Sequence, residues 1–99
     1  METFDDAMEP LVLTPHTVVA RWSSTGLVVH AAGQEGGITE VAIAQRPKKL
    51  GPPEFEITGR ISPFAGLFPY GVTCEFALAE RPDEIVIVTR EGAQTIPVR

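Results

Sequence analysis

Two histidines, one cysteine and a few serines are the side chains of this 99-residue sequence that could supply a nucleophile or a general base. Such catalysis requires the nucleophile and the base to lie within hydrogen-bonding reach of each other. His30 has no such partner nearby in the sequence. Cys74 falls on the apolar side of an alternating segment, where a free cysteine packs as a small hydrophobe. We therefore predict no catalytic residue and a protein that is not an enzyme.

Glutamates at alternate positions are the other residues with catalytic potential. Glu54 and Glu56 share one face of a predicted strand, whereas glycosidases hold two carboxylates across a cleft. Because a solvated sheet face explains this pair, a hydrolase that uses Glu54, Glu56 or His30 ranks third among the functions considered. His16 and His30 could be cross-strand neighbours, but no further ligand joins them. We predict no metal site and no cofactor.

Residues 62–71 (SPFAGLFPYG) form the most distinctive segment, an aromatic loop that is rich in proline and glycine. Aromatic side chains on a loop that proline restrains can anchor a partner at low entropic cost. In the alternative interpretation, Phe64 and Phe68 fold back and plug one end of the sandwich; both interpretations are compatible if Tyr70 lies at the rim. The predicted partner-binding residues of this loop are Phe64, Leu67, Phe68 and Tyr70.

Residues 46–53 (RPKKLGPP) contain the basic cluster of the sequence, Arg46, Lys48 and Lys49. On an acidic protein such a cluster could bind an acidic partner, for example the acidic N-terminal segment of a second copy. The alternative is ordinary solvated loop charge. We include all three cations among the predicted partner-binding residues.

Two alternating segments, residues 54–61 and 72–79, flank the aromatic loop and must position it. Inward-facing positions are odd from Phe55 to Ile61 and even from Val72 to Leu78. A period of two residues predicts half-buried strands and not helices. The two strands either pair as antiparallel neighbours or belong to different sheets, with the loop crossing between them. The sequence leaves both arrangements open.

The first half of the chain contains a predicted hairpin. Residues 16–22 and 27–32 are strands on either side of a turn at 23–26, whose sequence is SSTG. A short strand over residues 11–13 precedes the hairpin. Residues 33–37 (GQEGG) follow it and are predicted to be a flexible loop.

Three further strands complete the predicted set. Residues 38–45 alternate, and the apolar run at 85–88 indicates a strand in the interior of a sheet. Residues 94–98 form the last strand, which we expect at an edge because Pro97 cannot donate to a ladder. About seven short strands with Gly/Pro turns are typical of an antiparallel sandwich. We predict an all-β fold of immunoglobulin-like architecture, with a small Greek-key barrel as the alternative.

Composition restricts the class of protein. The net charge of −5 argues against nucleic-acid binding, since an acidic chain cannot neutralise phosphates. Residues 1–10 are predicted to be a flexible acidic arm, and residues 11–99 a single domain. The arm lacks the basic residues of a signal peptide and no long apolar run follows it, so we predict no membrane association. A single cysteine favours a reducing, cytoplasmic location.

The predicted function is that of a non-enzymatic protein-interaction module, an adaptor, assembly component or regulator of a larger protein. Its contact surfaces would be the aromatic loop and an exposed edge strand, with an unidentified protein as the partner. A homodimer is the favoured form. The alternative from another class is a carrier or accessory domain with an apolar pocket between the sheets.

Overall fold

The computed structural model describes residues 11–47, 50–61 and 66–99, apart from the side chain of Phe68. These residues form eight strands and no helix, so the predicted all-β class is confirmed. No helix among them is long and apolar enough to cross a membrane. The strands are β1 (Leu11–Val12), β2 (Thr17–Trp22), β3 (Leu27–Gly36), β4 (Ile38–Arg46), β5 (Glu54–Ile61), β6 (Leu67–Phe76), β7 (Glu84–Thr89) and β8 (Gly92–Pro97).

The strands form two sheets that pack as a sandwich. The three-stranded sheet has the order β2-β3-β6 and is antiparallel throughout. Its β2–β3 pair is the predicted hairpin, with Trp22 opposite Leu27. In the five-stranded sheet, β4 pairs with one side of β5, while β7 and the short β1 share the other side, and β8 pairs with β7.

One strand pair departs from the predicted antiparallel arrangement, because β5 and β7 run parallel. Parallel neighbours require a long crossover connection. Here the crossover is β6, which lies in the opposite sheet. The strand arrangement supports a small sandwich but is not specifically immunoglobulin-like.

Strands β5 and β6 lie in different sheets, which decides between the two arrangements left open by the sequence. Their inward faces nevertheless meet in the same core. The rings of Phe55 and Phe76 contact each other with their centroids 4.7 Å apart, at an interplanar angle of 54°. Such tilted aromatic pairs contribute about 0.5–1.5 kcal/mol beyond their buried area. The alternation therefore predicted the correct faces, although the strands are not neighbours.

The core lies between the two sheets and consists of the inward positions of the alternating strands. Glycine is required at position 59, because a Cβ there would collide with the side chain of Ile38. The buried apolar residues are Leu13, Ala20, Leu27, Val29, Ala31, Ile43, Phe55, Ile57, Ile85 and Ile87.

The prediction of a loop at residues 33–37 is wrong. Strand β3 continues to Gly36, and the only residue between it and β4 is Gly37, with φ 69°. The long partner strand explains the difference, since β6 pairs with β3 over its full length and Gly33 lies opposite Tyr70. Ladder hydrogen bonds and the cover of the tyrosine ring outweigh the intrinsic cost of glycine in a strand.

The two lateral sides of the sandwich differ. Strand β8 ends the five-stranded sheet, as Pro97 predicted. The residues after it cross to the other sheet, where the N–H of Arg99 donates to Ala20 at 3.0 Å and its carbonyl accepts from Trp22 at 3.1 Å. Opposite this closed side lie β4 and β6, which end their respective sheets within the described part of the chain. The predicted interior position of β7 is confirmed.

Candidate protein-interaction surface

The direction of the main-chain groups of β6 follows from the hairpin turn. The N–H of Ser23 donates to the carbonyl of Gly26 at 2.8 Å, so these two residues form a hydrogen-bonded pair. Hydrogen-bonded and non-hydrogen-bonded pairs alternate along antiparallel strands. Even-numbered residues of β3 therefore bond to β2, and odd-numbered residues of β3 bond to β6.

An independent contact supports this assignment. Even-numbered Ala20 and Trp22 of β2 bond to Arg99, on the side away from β3. Since the register places odd residues of β3 opposite even residues of β6, the even residues of β6 bond to β3. The odd residues of β6 direct their N–H and C=O groups to the outside of the sheet.

The outer edge of β6 is the row formed by these odd residues, and no strand of the described part of the chain pairs with it. Each of them is also an exposed residue on the outer face of the sheet. Pro69 belongs to this row, so the N–H that proline lacks is missing from the outside and not from the ladder with β3. The row comprises Leu67, Pro69, Gly71, Thr73 and Glu75.

Side-chain hydrogen bonds hold two residues of this edge in place. The carboxylate of Glu75 accepts hydrogen bonds from the hydroxyls of Thr25 and Ser23, the latter at 3.0 Å. These two bonds, the first more than the second, lower the pKa of Glu75. The hydroxyl of Thr73 lies 2.7 Å from Nδ1 of His30 on β3. The edge is therefore fixed to its neighbours in an extended conformation.

Two of the four predicted partner-binding residues of the aromatic segment, Leu67 and Tyr70, are described with their side chains, and both lie on β6 and not in the predicted loop. Tyr70 is partly buried against the core. Leu67 is 68% exposed, as a contact surface requires. Phe64 lies outside the described residues, and Phe68 is described only as a backbone position of β6 opposite Glu35.

The hydroxyl of Tyr70 is buried and has no hydrogen-bond partner among the described residues. Burial, followed by the negative charge of Glu35, raises the pKa of Tyr70, while Arg90 acts in the opposite direction. Glu35 and Arg90 form an ion pair of 3.0 Å that joins the two sheets at this end. Tyr70 and Glu35 also line a cleft of about 530 Å³ between β4 and β6.

Arg46, the described member of the predicted basic cluster, lies at the other end of the sandwich from Tyr70. Arg46 ends β4, whereas Ile38 at the start of β4 lines the cleft beside Tyr70. Arg46 is exposed, with its guanidinium 4.0 Å from the carboxylate of Glu56, and it lines a second cleft of about 630 Å³. Lys48 and Lys49 lie outside the described residues. The structure therefore does not bring Arg46 together with Leu67 and Tyr70.

The residues considered for catalysis and metal binding are dispersed. His30 pairs with Val19 across the hairpin, so His16 is not its cross-strand neighbour. Cys74 is a free cysteine that packs against the core. Within the described ranges, no group of three or more His, Cys, Asp or Glu side chains could hold a metal ion.

An edge strand was predicted as a contact surface from the sequence, but β6 was not identified as that strand. Pro69 could have indicated it, because Pro69 is an odd-numbered residue of the strand, as are Thr73 and Glu75. A proline is tolerated inside a strand only where its missing N–H faces outwards. Comparisons with known proteins found no matching family model, no similar curated protein and no similar solved structure.

Proposed function

We propose that this protein is a non-enzymatic protein-interaction module that binds an extended segment of a partner protein at the outer edge of β6. The observation that carries the proposal is the row of outward main-chain groups at Gly71, Thr73 and Glu75. An exposed edge of this kind is a template for strand addition. Roles as an adaptor, assembly component or regulator all use such a surface.

Side chains beside the edge support the same function. Leu67 is exposed at the start of β6 and offers an apolar contact to the added segment. A net contribution of about 1 kcal/mol for each main-chain hydrogen bond would give only weak binding without such contacts. Pro69 interrupts the row of donors. The added segment is therefore expected to pair with the second half of β6, from Gly71 to Glu75.

The alternative function of an apolar-ligand carrier has less support. The inward faces of the sheets pack directly on each other, with Phe55, Ile57 and Ile87 fully buried. The clefts beside Tyr70 and Arg46 contain charged side chains, whereas apolar ligands occupy mainly apolar pockets. The cytoplasmic location and the absence of enzymatic activity stay predictions.

The test compares two substitutions at one position. Thr73→Pro removes an outward N–H, and Thr73→Val retains it, while both remove the hydroxyl that contacts His30. Ten-residue peptides would be selected from a displayed random library on the wild-type protein, and their dissociation constants measured on all three proteins. We expect Thr73→Pro to weaken binding about fivefold or more and Thr73→Val to have little effect, because one main-chain hydrogen bond is lost.

Amide resonances give a second measurement that does not depend on the variants. A selected peptide is expected to shift and protect the amides of Gly71, Thr73 and Glu75. Peptides that instead perturb the cleft at Arg46, or that bind all three proteins equally, would contradict strand addition at β6.

A further inference from the structure

We infer that the extended segment is β6 of a second copy of this chain, paired antiparallel about a two-fold axis at Thr73. This inference rests on the proposed function, because it uses the same outer edge. About a two-fold axis, β6 pairs with β6 of the second copy, so the residues of this one strand restrict the register.

The hydrogen-bond donors favour an axis at Thr73. In this register Thr73 pairs with Thr73 of the second copy, and Gly71 pairs with Glu75 of the second copy. Every residue in these hydrogen-bonded pairs has an N–H, and each pair exchanges two bonds. Moving the axis to Val72 or Gly71 would place Pro69 opposite Glu75 or Thr73, where its missing N–H leaves a carbonyl without a donor.

The charges disfavour the opposite displacement. Moving the axis to Cys74 halves the separation of the two Glu75 residues along the strands, and an axis at Glu75 places their exposed carboxylates directly opposite each other, where like charges destabilise a strand pair. With the axis at Thr73, each Glu75 lies opposite a glycine and keeps its bonds to Ser23 and Thr25. The central pair is then threonine opposite threonine, a favourable cross-strand combination.

The inward side chains provide an apolar contact in the same register. Val72 and Cys74 are partly buried against the core at the open side of the sandwich. With the axis at Thr73, Val72 lies opposite Cys74 of the second copy, in a non-hydrogen-bonded pair whose side chains are close. Pairing therefore covers the remaining exposed surface of both side chains. Two three-stranded sheets become one continuous sheet.

Cysteine cross-linking tests the register. In a background with Cys74→Ala, Thr73→Cys places two thiols across the axis, where Cα atoms of a hydrogen-bonded pair lie about 5.5 Å apart, within the range of a disulfide. Gly71→Cys is the matched control, because a Cβ at Gly71 meets only Cε1 of His30 at 3.8 Å. The two Gly71 residues would be separated by about 14 Å along the strands, too far for a bond.

We expect mild oxidation to give a covalent dimer with Thr73→Cys and not with Gly71→Cys. Sedimentation equilibrium is expected to show a wild-type dimer that Thr73→Pro weakens about tenfold or more, since each copy loses a main-chain bond. Thr73→Val should retain the dimer. In the wild-type protein, dilution should speed hydrogen exchange at the amides of Gly71, Thr73 and Glu75.

The register, self-association and the proposed function are each contradicted by a different result. Cross-linking of Gly71→Cys but not of Thr73→Cys would overturn the register. A wild-type protein that stays monomeric at millimolar concentration, with amide exchange independent of dilution, would overturn self-association. In that case the proposed function still stands if selected peptides bind the β6 edge and Thr73→Pro weakens them. It fails with the inference if neither a second copy nor a peptide pairs there.

Discussion

Glu75 is the residue that joins the outer edge of β6 to the turn between β2 and β3. Its carboxylate accepts hydrogen bonds from the hydroxyls of Thr25 and Ser23, and these bonds lower its pKa from the ordinary value of 4.5. A group whose pKa is lower in the folded state stabilises the fold above its unfolded pKa. That contribution is lost as the pH falls through the lower, folded value.

Glu75→Gln is therefore expected to destabilise the protein at neutral pH and to have a diminishing effect in acid. Urea denaturation of both proteins from neutral pH to strongly acidic pH would measure this difference. Glu91→Gln is the control, because Glu91 is also exposed but lies in the turn between β7 and β8. A difference between wild type and Glu75→Gln that does not change with pH would contradict the role of the carboxylate.

Tyr70 combines a ring that packs on the core with a buried hydroxyl that has no partner in the described residues. Removing a buried polar group that makes no hydrogen bond is neutral or favourable. Tyr70→Phe is therefore expected to leave the free energy of unfolding unchanged or to raise it by up to about 1 kcal/mol. Tyr70→Leu is the companion variant, expected to lose about 1–3 kcal/mol because the ring no longer covers Gly33. A loss in Tyr70→Phe as large as in Tyr70→Leu would show that the hydroxyl has a stabilising partner.

At the scale of the element, β6 has two edges with different roles. The main-chain N–H and C=O groups of even-numbered residues bond to β3, and those of odd-numbered residues point away from the sheet. This follows from the hydrogen bond between Ser23 and Gly26 in the turn. Adjacent residues of one strand should therefore respond differently to proline.

Cys74→Pro is expected to cost about 1–3 kcal/mol more than Thr73→Pro, because it removes a ladder donor inside the three-stranded sheet and leaves a carbonyl of β3 without its partner. Thr73→Pro is expected to cost about 1 kcal/mol, since the donor that it removes faces outwards. Chemical denaturation of both variants, with Cys74→Ala and Thr73→Val as controls for the side chains, would measure the difference. Equal costs would mean that the assigned direction of the main-chain groups is wrong.

Strand β3 illustrates how a partner strand overrides local preference. Its last residues are rich in glycine, and by themselves they predict a loop. They become strand because β6 supplies ladder bonds along the whole of β3, and because Tyr70 lies against Gly33. The residues that form this pairing lie in segments more than 30 residues apart in the sequence.

At the scale of the whole molecule, one side of the sandwich is closed and the other is open. Main-chain bonds of Arg99 to Ala20 and Trp22 join the two sheets on the closed side. On the open side, β4 carries an irregularity between Thr39 and Ala42, with Glu40 at a positive φ of 54°. Such a bulge disrupts regular pairing and protects an edge from association. Strand β6 has Pro69 alone as an interruption, which leaves its second half available to a second copy.

The net charge of the whole molecule affects dimerisation. The net charge of −5 opposes close approach of two copies, and salt screens this repulsion. The register at Thr73 adds no direct carboxylate pair to that general repulsion. Dimerisation through β6 should therefore strengthen as the ionic strength rises.

Local rules were sufficient to predict from the sequence which side chains face the core. Alternation at Phe55 and Ile57, the turn at residues 23–26, and the edge position of the strand with Pro97 depend on local steric and hydrogen-bonding rules that hold wherever the strand is placed. Those predictions agree with the structure.

The choice of neighbouring strands, in contrast, depends on long-range contacts that the folded chain alone reveals. The apolar faces of β5 and β6 would be buried equally well if the strands paired in one sheet or packed across a core from each other. The hydrophobic effect is non-directional and does not distinguish the two arrangements. Main-chain hydrogen bonds are also nearly identical for every partner strand. The outer edge of β6 as a candidate site is the outcome of that long-range choice, since a strand edge is exposed only after every other strand has found its place.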